Sequence, residues 1–273
     1  MNGQEMRARL HEGGRVYGTM VSANSSWWPG AVKGTGVDFV FIDTEHIAQD
    51  RVGISWMCRT YAALGIAPVV RVPCPDPYQA CMVYDAGAAG IIAPYIETPE
   101  QVKQLVGAAR YRPLKGERLQ RILHQEEVAE PALAAYLEER NARQVLIANI
   151  ESVPALHALD DILDVEGLDA VLVGPHDLTT SLGIPEDYRH PRYVEAVDTI
   201  IQKARARGVG AGIHATYPHA LEHEIRWAEM GMNLIVHLAD IIAFRNTMQR
   251  DLDLLKAALG DTGGPGEAKP INV

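Results

Sequence analysis

Four short stretches of this chain carry acids, histidines and an arginine of the types that bind cations and move protons. Asp43-Thr44-Glu45-His46, Arg71, Asn149-Ile150-Glu151 and Gly174-Pro175-His176-Asp177 each stand at the far end of a short apolar run. Glu151 and Asp177 are hard oxygen donors. Two such carboxylates, with room left for water and for the oxygens of a chelating 2-oxo acid, suit Mg²⁺ or Mn²⁺. Either acid alone reads rather as a loop acid or a helix N-cap, and it is their place after consecutive runs that makes them a pair. Asp43 and His46 are spaced for the carboxylate to orient the imidazole, which makes His46 a candidate general base; the alternative is a histidine that only fixes its loop. Arg71 ends an otherwise apolar run, where an unpaired guanidinium is costly to bury. A substrate carboxylate or developing enolate would partner it, with Asp85 as the competing structural partner.

Residues so far apart in sequence need a scaffold that gathers strand ends. Eight strand-like runs are present, near Tyr17–Val21, Asp38–Ile42, Ala67–Val72, Gly90–Ala93, Gln144–Ile150, Asp169–Val173, Gly210–Ile213 and Asn233–Val236. Apolar on both faces, they read as buried parallel strands. Helix-like stretches alternate with them, most clearly Arg51–Leu64, Pro99–Ala109, Pro154–Leu163, Arg192–Arg207, Pro218–Met230 and Ile241–Leu259, several opened by a proline. Eight alternating units predict an α/β fold, a single (β/α)₈ TIM barrel over residues 1–260, with its active face at the carboxyl ends of the strands. The longest interruption, Arg110 to Arg143, with a helix-like Pro131–Arg140, reads as a decorated loop. The Gly- and Pro-rich tail, 261–273, is expected to be flexible or laid on a neighbouring subunit.

Composition narrows the partners. The 273 residues are 47% hydrophobic and 22% charged, ordinary for a globular chain, and one barrel of this length is common. A formal net charge of −10 argues against nucleic acid and anionic membrane surfaces, which need a basic field. Cys58, Cys74 and Cys81 form neither a disulfide framework nor a zinc spacing. With no signal-peptide core and no apolar run of membrane length, a cytoplasmic location is expected.

Other residues define what the chemistry is not. Lys33, Lys103, Lys115, Lys203, Lys256 and Lys269 all fall in helices, loops or the tail, so imine chemistry on a lysine at a strand end is disfavoured. His219-Ala220-Leu221-Glu222-His223 matches an inverted zinc-protease motif, but with Glu224, Arg226 and Glu229 it reads as the solvated outer face of a helix. His176, His214 and His237 stand at strand ends, where they line a pocket or serve packing. Trp27-Trp28 forms a pocket wall or staples a helix start.

Asp43-x-Glu45-His46, Arg71, Asn149-Ile150-Glu151, Val165-Glu166-Gly167-Leu168-Asp169 and Gly174-Pro175-x-Asp177-Leu178 together resemble the HpcH/HpaI aldolase family, from about Val16 to Leu255 in order and spacing. The resemblance implies a (β/α)₈ class II aldolase that cleaves or forms 4-hydroxy-2-oxo acids through a pyruvate enolate. It implies a divalent cation (Mg²⁺, Mn²⁺ or Co²⁺) on Glu151 and Asp177, and Arg71 at the enolate oxygen. His46 paired with Asp43 would be the acid/base, with Asp85 near the histidine. Backbone amides of His176 and Asp177 would hold the pyruvate carboxylate, beside Asn149. Small-molecule 2-oxo acid and aldehyde partners and a hexamer, to which the C-terminal helix contributes, are further implications. Two departures bear on the substrate. Leu119-Gln120-Arg121 follows Arg118 where the family has Gly-x-Gly, and Asn149 stands where Gln is common. A lyase of the citrate lyase beta type acting on acyl-CoA thioesters would use the same barrel, although no basic cluster for a nucleotide phosphate is evident. A non-catalytic 2-oxo acid-binding barrel would lose the metal pair or the histidine, and this chain keeps both.

Overall fold

The computed structural model describes residues 1–261, so the Gly- and Pro-rich tail expected to be flexible or intersubunit lies outside the described residues from 262 onward. Eight parallel strands close into a barrel in chain order: β1 (Val16–Met20), β2 (Phe39–Asp43), β3 (Ala67–Arg71), β4 (Gly90–Ala93), β5 (Val145–Ile150), β6 (Ala170–Val173), β7 (Gly210–Ala215) and β8 (Leu234–Ala239). Every strand read from the apolar runs is present. No helix of the described residues is long and apolar enough to cross a membrane.

The barrel closes because its inward side chains fill it. Met20, Phe39, Phe41, Val69, Ile147, Leu172, Leu234 and Val236 belong to one buried cluster inside the strands. Bulky residues on one strand are admitted by small ones on the next, as interior close packing demands. A Cβ on Gly18 would lie 2.5 Å from the Phe39 ring, so only glycine on β1 leaves room for that phenylalanine. A second, larger cluster lies between the strands and the helices around them.

The helices on the active side of the sequence are α2 (Trp28–Gly34), α3 (Arg51–Ala63), α4 (Pro77–Ala86) and α5 (Pro99–Arg110). The first turns of α3, α4 and α5 are capped from the loops that follow β2, β3 and β4: Asp50 accepts from the Gly53 amide, Asp76 from the Tyr78 amide and Thr98 from the Gln101 amide. The interruption after α5 folds as two helices, α6 (Gly116–Leu123) and α7 (Pro131–Asn141), both packed on α5. Arg118 and Arg121 tie α6 to Glu127, which orders a segment that reads from sequence mostly as loop. The expected helix over Pro154–Leu163 is instead two short ones, α8 (Val153–His157) and α9 (Leu159–Leu163). Ala158, near φ −91° and ψ 6°, ends the first and starts the second. The remaining helices are α10 (Pro175–Ser181), α11 (Pro191–Ala206), α12 (Ala220–Glu229) and α13 (Asp240–Leu259).

At the amino ends of the strands, α1 (Gly3–His11) plugs the barrel with buried Met6 and Leu10. Asp169 is the knot of that end. It is fully buried and takes bonds from Arg7 Nε (2.9 Å), a His11 ring nitrogen (3.0 Å), the Leu146 amide (2.8 Å) and Arg110. The Val165–Asp169 motif is thus a clasp far from the chemistry. Burial pushes the Asp169 carboxyl up, but its bonds to His11, Arg110, Leu146 and Arg7 outweigh burial and hold it below its ordinary 3.8. A depressed carboxyl contributes stability above the unfolded value that is lost as pH falls through the folded one. Asp169→Ala should therefore cost about 2 kcal/mol or more, as it leaves the Leu146 amide and the partly buried Arg110 and Arg7 without their acceptor. Denaturant titrations at pH 7 and pH 3 check this: the cost should shrink at pH 3, and a cost equal at both would refute the clasp.

Candidate active site

Parallel pairing puts Asp43 directly opposite Arg71 in register at the ends of β2 and β3. Both are buried, and the guanidinium grips the carboxylate with two bonds, Nε to Oδ1 and Nη2 to Oδ2, each 2.8 Å. Glu45 Oε2 adds a third contact to Arg71 Nε at 3.1 Å. Burial alone would weaken the Arg71 charge; Asp43 first, then Glu45 and Glu151, outweigh it and raise the pKa of the guanidinium further. For Asp43, burial is likewise outweighed, chiefly by Arg71, and the carboxyl lies below its ordinary range. The ring of Phe41 lies 5.2 Å from the guanidinium carbon. Nη1 makes no bond to a described residue and is the donor left for a ligand.

This geometry corrects one expected pairing. Asp43 does not orient the His46 imidazole: its oxygens are spent on Arg71 and on the backbone amides of Glu45 (3.0 Å) and His46 (3.4 Å). The His46 ring, 46% exposed, instead has Glu45 Oε1 at 3.8 Å from Nε2. Asp43 shapes the loop and Glu45 faces the histidine. Glu45 belongs to the motif read from the sequence but has no role there, because spacing cannot say which of two nearby acids turns toward the ring. The other partner weighed for Arg71, Asp85, is also displaced. It lies 76% exposed in the last turn of α4, at the opposite end of the barrel, paired with Arg112 at 3.3 Å.

Glu151 and Asp177 do converge. The ideal Cβ position on Gly174 lies 2.7 Å from Glu151 Oε2 and 3.6 Å from Asp177 Oδ2, so the two carboxylates face each other across a residue that has no side chain. Glu151 is aimed by two bonds: the Tyr95 amide donates to Oε1 and Asn149 Nδ2 to Oε2, both 2.8 Å. Asn149 is buried inside the barrel beneath Glu151, and its own Oδ1 has no partner. Tyr95, just past β4, adopts φ 55°, a strained value for a bulky residue of the kind that clusters at functional sites. Its hydroxyl lies against Glu45, which pushes the phenol up. Nothing in the sequence around Tyr95 signals this double contact. Burial, then the negative charges of Asp177 and Glu45, raise the Glu151 carboxyl above its ordinary value despite those bonds.

A cation fits this donor set. Two crowded carboxylates, one buried and pushed toward protonation and the other exposed in the first turn of α10, form a site of unbalanced negative charge. Among the described residues no group of three His, Cys, Asp or Glu side chains gathers, so two protein oxygens leave positions open for water and a chelating ligand.

The other histidines separate. His214 is buried under the site, its ring edge-on to Phe41 at 5.1 Å and Nε2 at 3.2 Å from the Leu238 carbonyl, and burial lowers it to about 4, so it is neutral. His176 is exposed on α10, 3.7 Å from Glu186. His237 points away from the barrel interior and pairs with Glu224 at 2.7 Å. Glu224, read from sequence as part of a solvated face, is in fact buried. In the protease-like motif, His223 bonds the Tyr217 hydroxyl while His219 and Glu222 are exposed.

Comparison with known proteins agrees with this arrangement. The profile of the HpcH/HpaI aldolase/citrate lyase family matches residues 18–242. The chain is 30% identical over 251 residues to 2-keto-3-deoxy-L-rhamnonate aldolase of Escherichia coli K12, covering 92% of both chains. Among solved structures, an HpcH/HpaI aldolase from Desulfitobacterium hafniense DCB-2 superposes with a TM-score of 0.78 at 27% identity, covering 92% of this chain and 96% of that one. The citrate synthase SbnG gives 0.78 at 30% identity, covering 93% and 98%. With its barrel, its strand-end residues and these matches in agreement, the chain belongs to the HpcH/HpaI aldolase/citrate lyase family and is a carbon–carbon lyase.

Proposed function

We propose that this lyase is a class II aldolase that cleaves and forms 4-hydroxy-2-oxo acids through the enolate of pyruvate. The observation that carries this reading is the convergence of Glu151 and Asp177 over Gly174, on the same face as Arg71. Glu151 and Asp177 would hold Mg²⁺, Mn²⁺ or Co²⁺, which supplies positive charge for the oxygens of the 2-oxo acid. In the cleavage direction His46, directly or through a water, takes the proton of the C4 hydroxyl. The C3–C4 bond then breaks toward the C2 oxygen, and the aldehyde leaves. Arg71 Nη1 donates to that oxygen as it gains charge, its fork already held by Asp43 so that no reorganisation is needed. The amides of His176 and Asp177, in the first turn of α10 where no helical carbonyl reaches them, hold the carboxylate of the 2-oxo acid. A proton returned to C3 gives pyruvate.

The chain also carries the features of an assembling subunit. Ile241, Phe244, Met248, Leu252, Leu254, Leu255 and Leu259 are all exposed on α13, which buries only Asp240 and Ile242. Tyr17 on β1 and the His237 side chain on β8 are partly exposed as well, so the outer face of these two strands is thinly covered. We read α13 as the contact to further copies of this chain in a hexamer.

Chelation should abolish retro-aldol activity, and Mg²⁺, Mn²⁺ or Co²⁺ should restore it; full turnover after exhaustive chelation would refute the cation. Glu151→Gln should remove the cation-induced rise in Tm. Because the folded carboxyl is raised above 4.5, its contribution to stability is full below that value and is lost as pH rises through the folded one. At pH 7, therefore, the chelated Glu151→Gln protein should melt no lower than the chelated parent. His46→Ala should lower kcat about a hundredfold or more, the usual range for a lost acid/base. Arg71→Lys should be nearly as harmful, since lysine cannot make the forked pair with Asp43; near-parental rates in either variant would remove that residue from the mechanism. Light scattering should give six copies, and Leu252→Asp with Leu255→Asp should reduce the assembly; a monomer at micromolar concentration in the parent would refute the hexamer.

A further inference from the structure

Strand β8 is bulged near its carboxyl end. Gly18 of β1 pairs with Val236 and Met20 with Ala239, so Thr19 alone faces two residues, His237 and Leu238. Leu238 takes φ 53°, a left-handed value that a bulky side chain adopts only at a cost. Its carbonyl is given to a side chain of the neighbouring strand: His214 Nε2 on β7, where His214 pairs in register with Val236, lies 3.2 Å from it. A carbonyl only accepts, so Nε2 is the donor. The ring, uncharged through burial, carries its one proton there and leaves Nδ1 bare.

His214 makes no hydrogen bond to Asp43 or Arg71, but the ring it packs on touches that pair. Phe41, fully buried, meets the His214 ring at 74° with the centroids 5.1 Å apart. The Arg71 guanidinium carbon lies over the same Phe41 ring, 5.2 Å from its centroid. The fork to Asp43 fixes Nε and Nη2 and acts as a hinge, about which the guanidinium plane can still tilt. That tilt decides where Nη1 points. Phe41 sets it by lying under the plane, and His214 keeps Phe41 from turning. An imidazole suits this place because burial beside a cation keeps it uncharged, so it braces Arg71 without repelling it. A leucine would fill the space with no tether to β8.

We infer that His214 is a positioning residue for the lyase reaction: anchored through Nε2 to the bulge of β8, it holds Phe41 and, through Phe41, the tilt of Arg71, so that Nη1 meets the enolate oxygen as its charge develops. This rests on the aldolase reading, in which Arg71 donates to that oxygen. Enolate formation can be measured apart from carbon–carbon chemistry. In D₂O the base takes a methyl proton from pyruvate and exchanges it with solvent, and the enolate takes back a deuteron. Mass spectrometry of pyruvate incubated with the full-length protein and Mn²⁺ reads this exchange.

His214→Leu should lower kcat for exchange about tenfold or more while KM for pyruvate and the affinity for Mn²⁺ stay within about twofold, since a misaimed donor is felt in the transition state. Phe41→Leu should act alike, and the double variant should be no slower than the slower single one, because both act through one guanidinium. ¹⁵N NMR of the parent at pH 7, which needs no variant to fold, should show the His214 ring protonated on Nε2 and bare on Nδ1. Parental exchange in His214→Leu, a loss carried by KM, additive losses in the double variant, or a proton on Nδ1 would each overturn this inference and leave the aldolase reading standing. No exchange by the parent with Mg²⁺, Mn²⁺ or Co²⁺ would overturn both.

Discussion

The active face depends on one buried ion pair. Asp43 and Arg71 are register partners on adjacent parallel strands, and neither tolerates burial without the other. Their mutual neutralisation lets β2 and β3 end in charge while remaining inside the barrel. The same pair shapes the turn beyond β2. The carboxylate that clamps the guanidinium also accepts the Glu45 and His46 amides, so the chain is folded around it. That turn places Glu45 between Arg71, the His46 ring and the Tyr95 hydroxyl. A side chain two positions from the pair thereby becomes the hub of the site.

Across the barrel mouth the logic is reversed. Glu151 and Asp177 are brought together without a counter-charge, and the residues around them aim the carboxylates and do not neutralise them. Asn149 and the Tyr95 amide fix both oxygens of Glu151, and Gly174 removes the side chain that would separate it from Asp177. Repulsion of this kind is a cost in the free protein and a gain on binding a cation. The barrel can bear it because stability is built elsewhere: in the interior packing of Phe39, Phe41 and Leu234, and in the Asp169 clasp that ties α1 and α5 to the amino ends of the strands. Separating the stabilising end from the reactive end is a general property of this architecture.

The outer parts of the chain diverge by a different rule. The stretch after α5, where the resemblance leads one to expect Gly-x-Gly, is a short helix whose arginines bond Glu127 and Glu130. Charged side chains thus organise this segment against α5. α13 behaves oppositely: its apolar side chains face outward, and its one strong tether is Asp240, which grips the loop after β1.

Much of the molecule was legible in order of residues alone. Period-breaking apolar runs marked all eight strands, because a strand buried on both faces must be apolar throughout. The charged residues at their carboxyl ends marked the active face, because nothing else explains polar groups placed where a barrel opens. Glu151 and Asp177 were readable as a pair for that reason. The partners of Arg71 and His46 were not. Local spacing put Asp43 with His46 and offered Asp85 only as a competing structural partner of Arg71, whereas the register of β2 on β3 gave Arg71 to Asp43, left His46 to Glu45, and the direction of α4 carried Asp85 to the other end of the barrel. Tyr95 was invisible because its role lies in a backbone amide and a left-handed turn, which no residue type announces. Residue type determines which groups must be compensated when buried; which neighbour compensates them is set by strand register and side-chain direction, and these exist only once the barrel has closed.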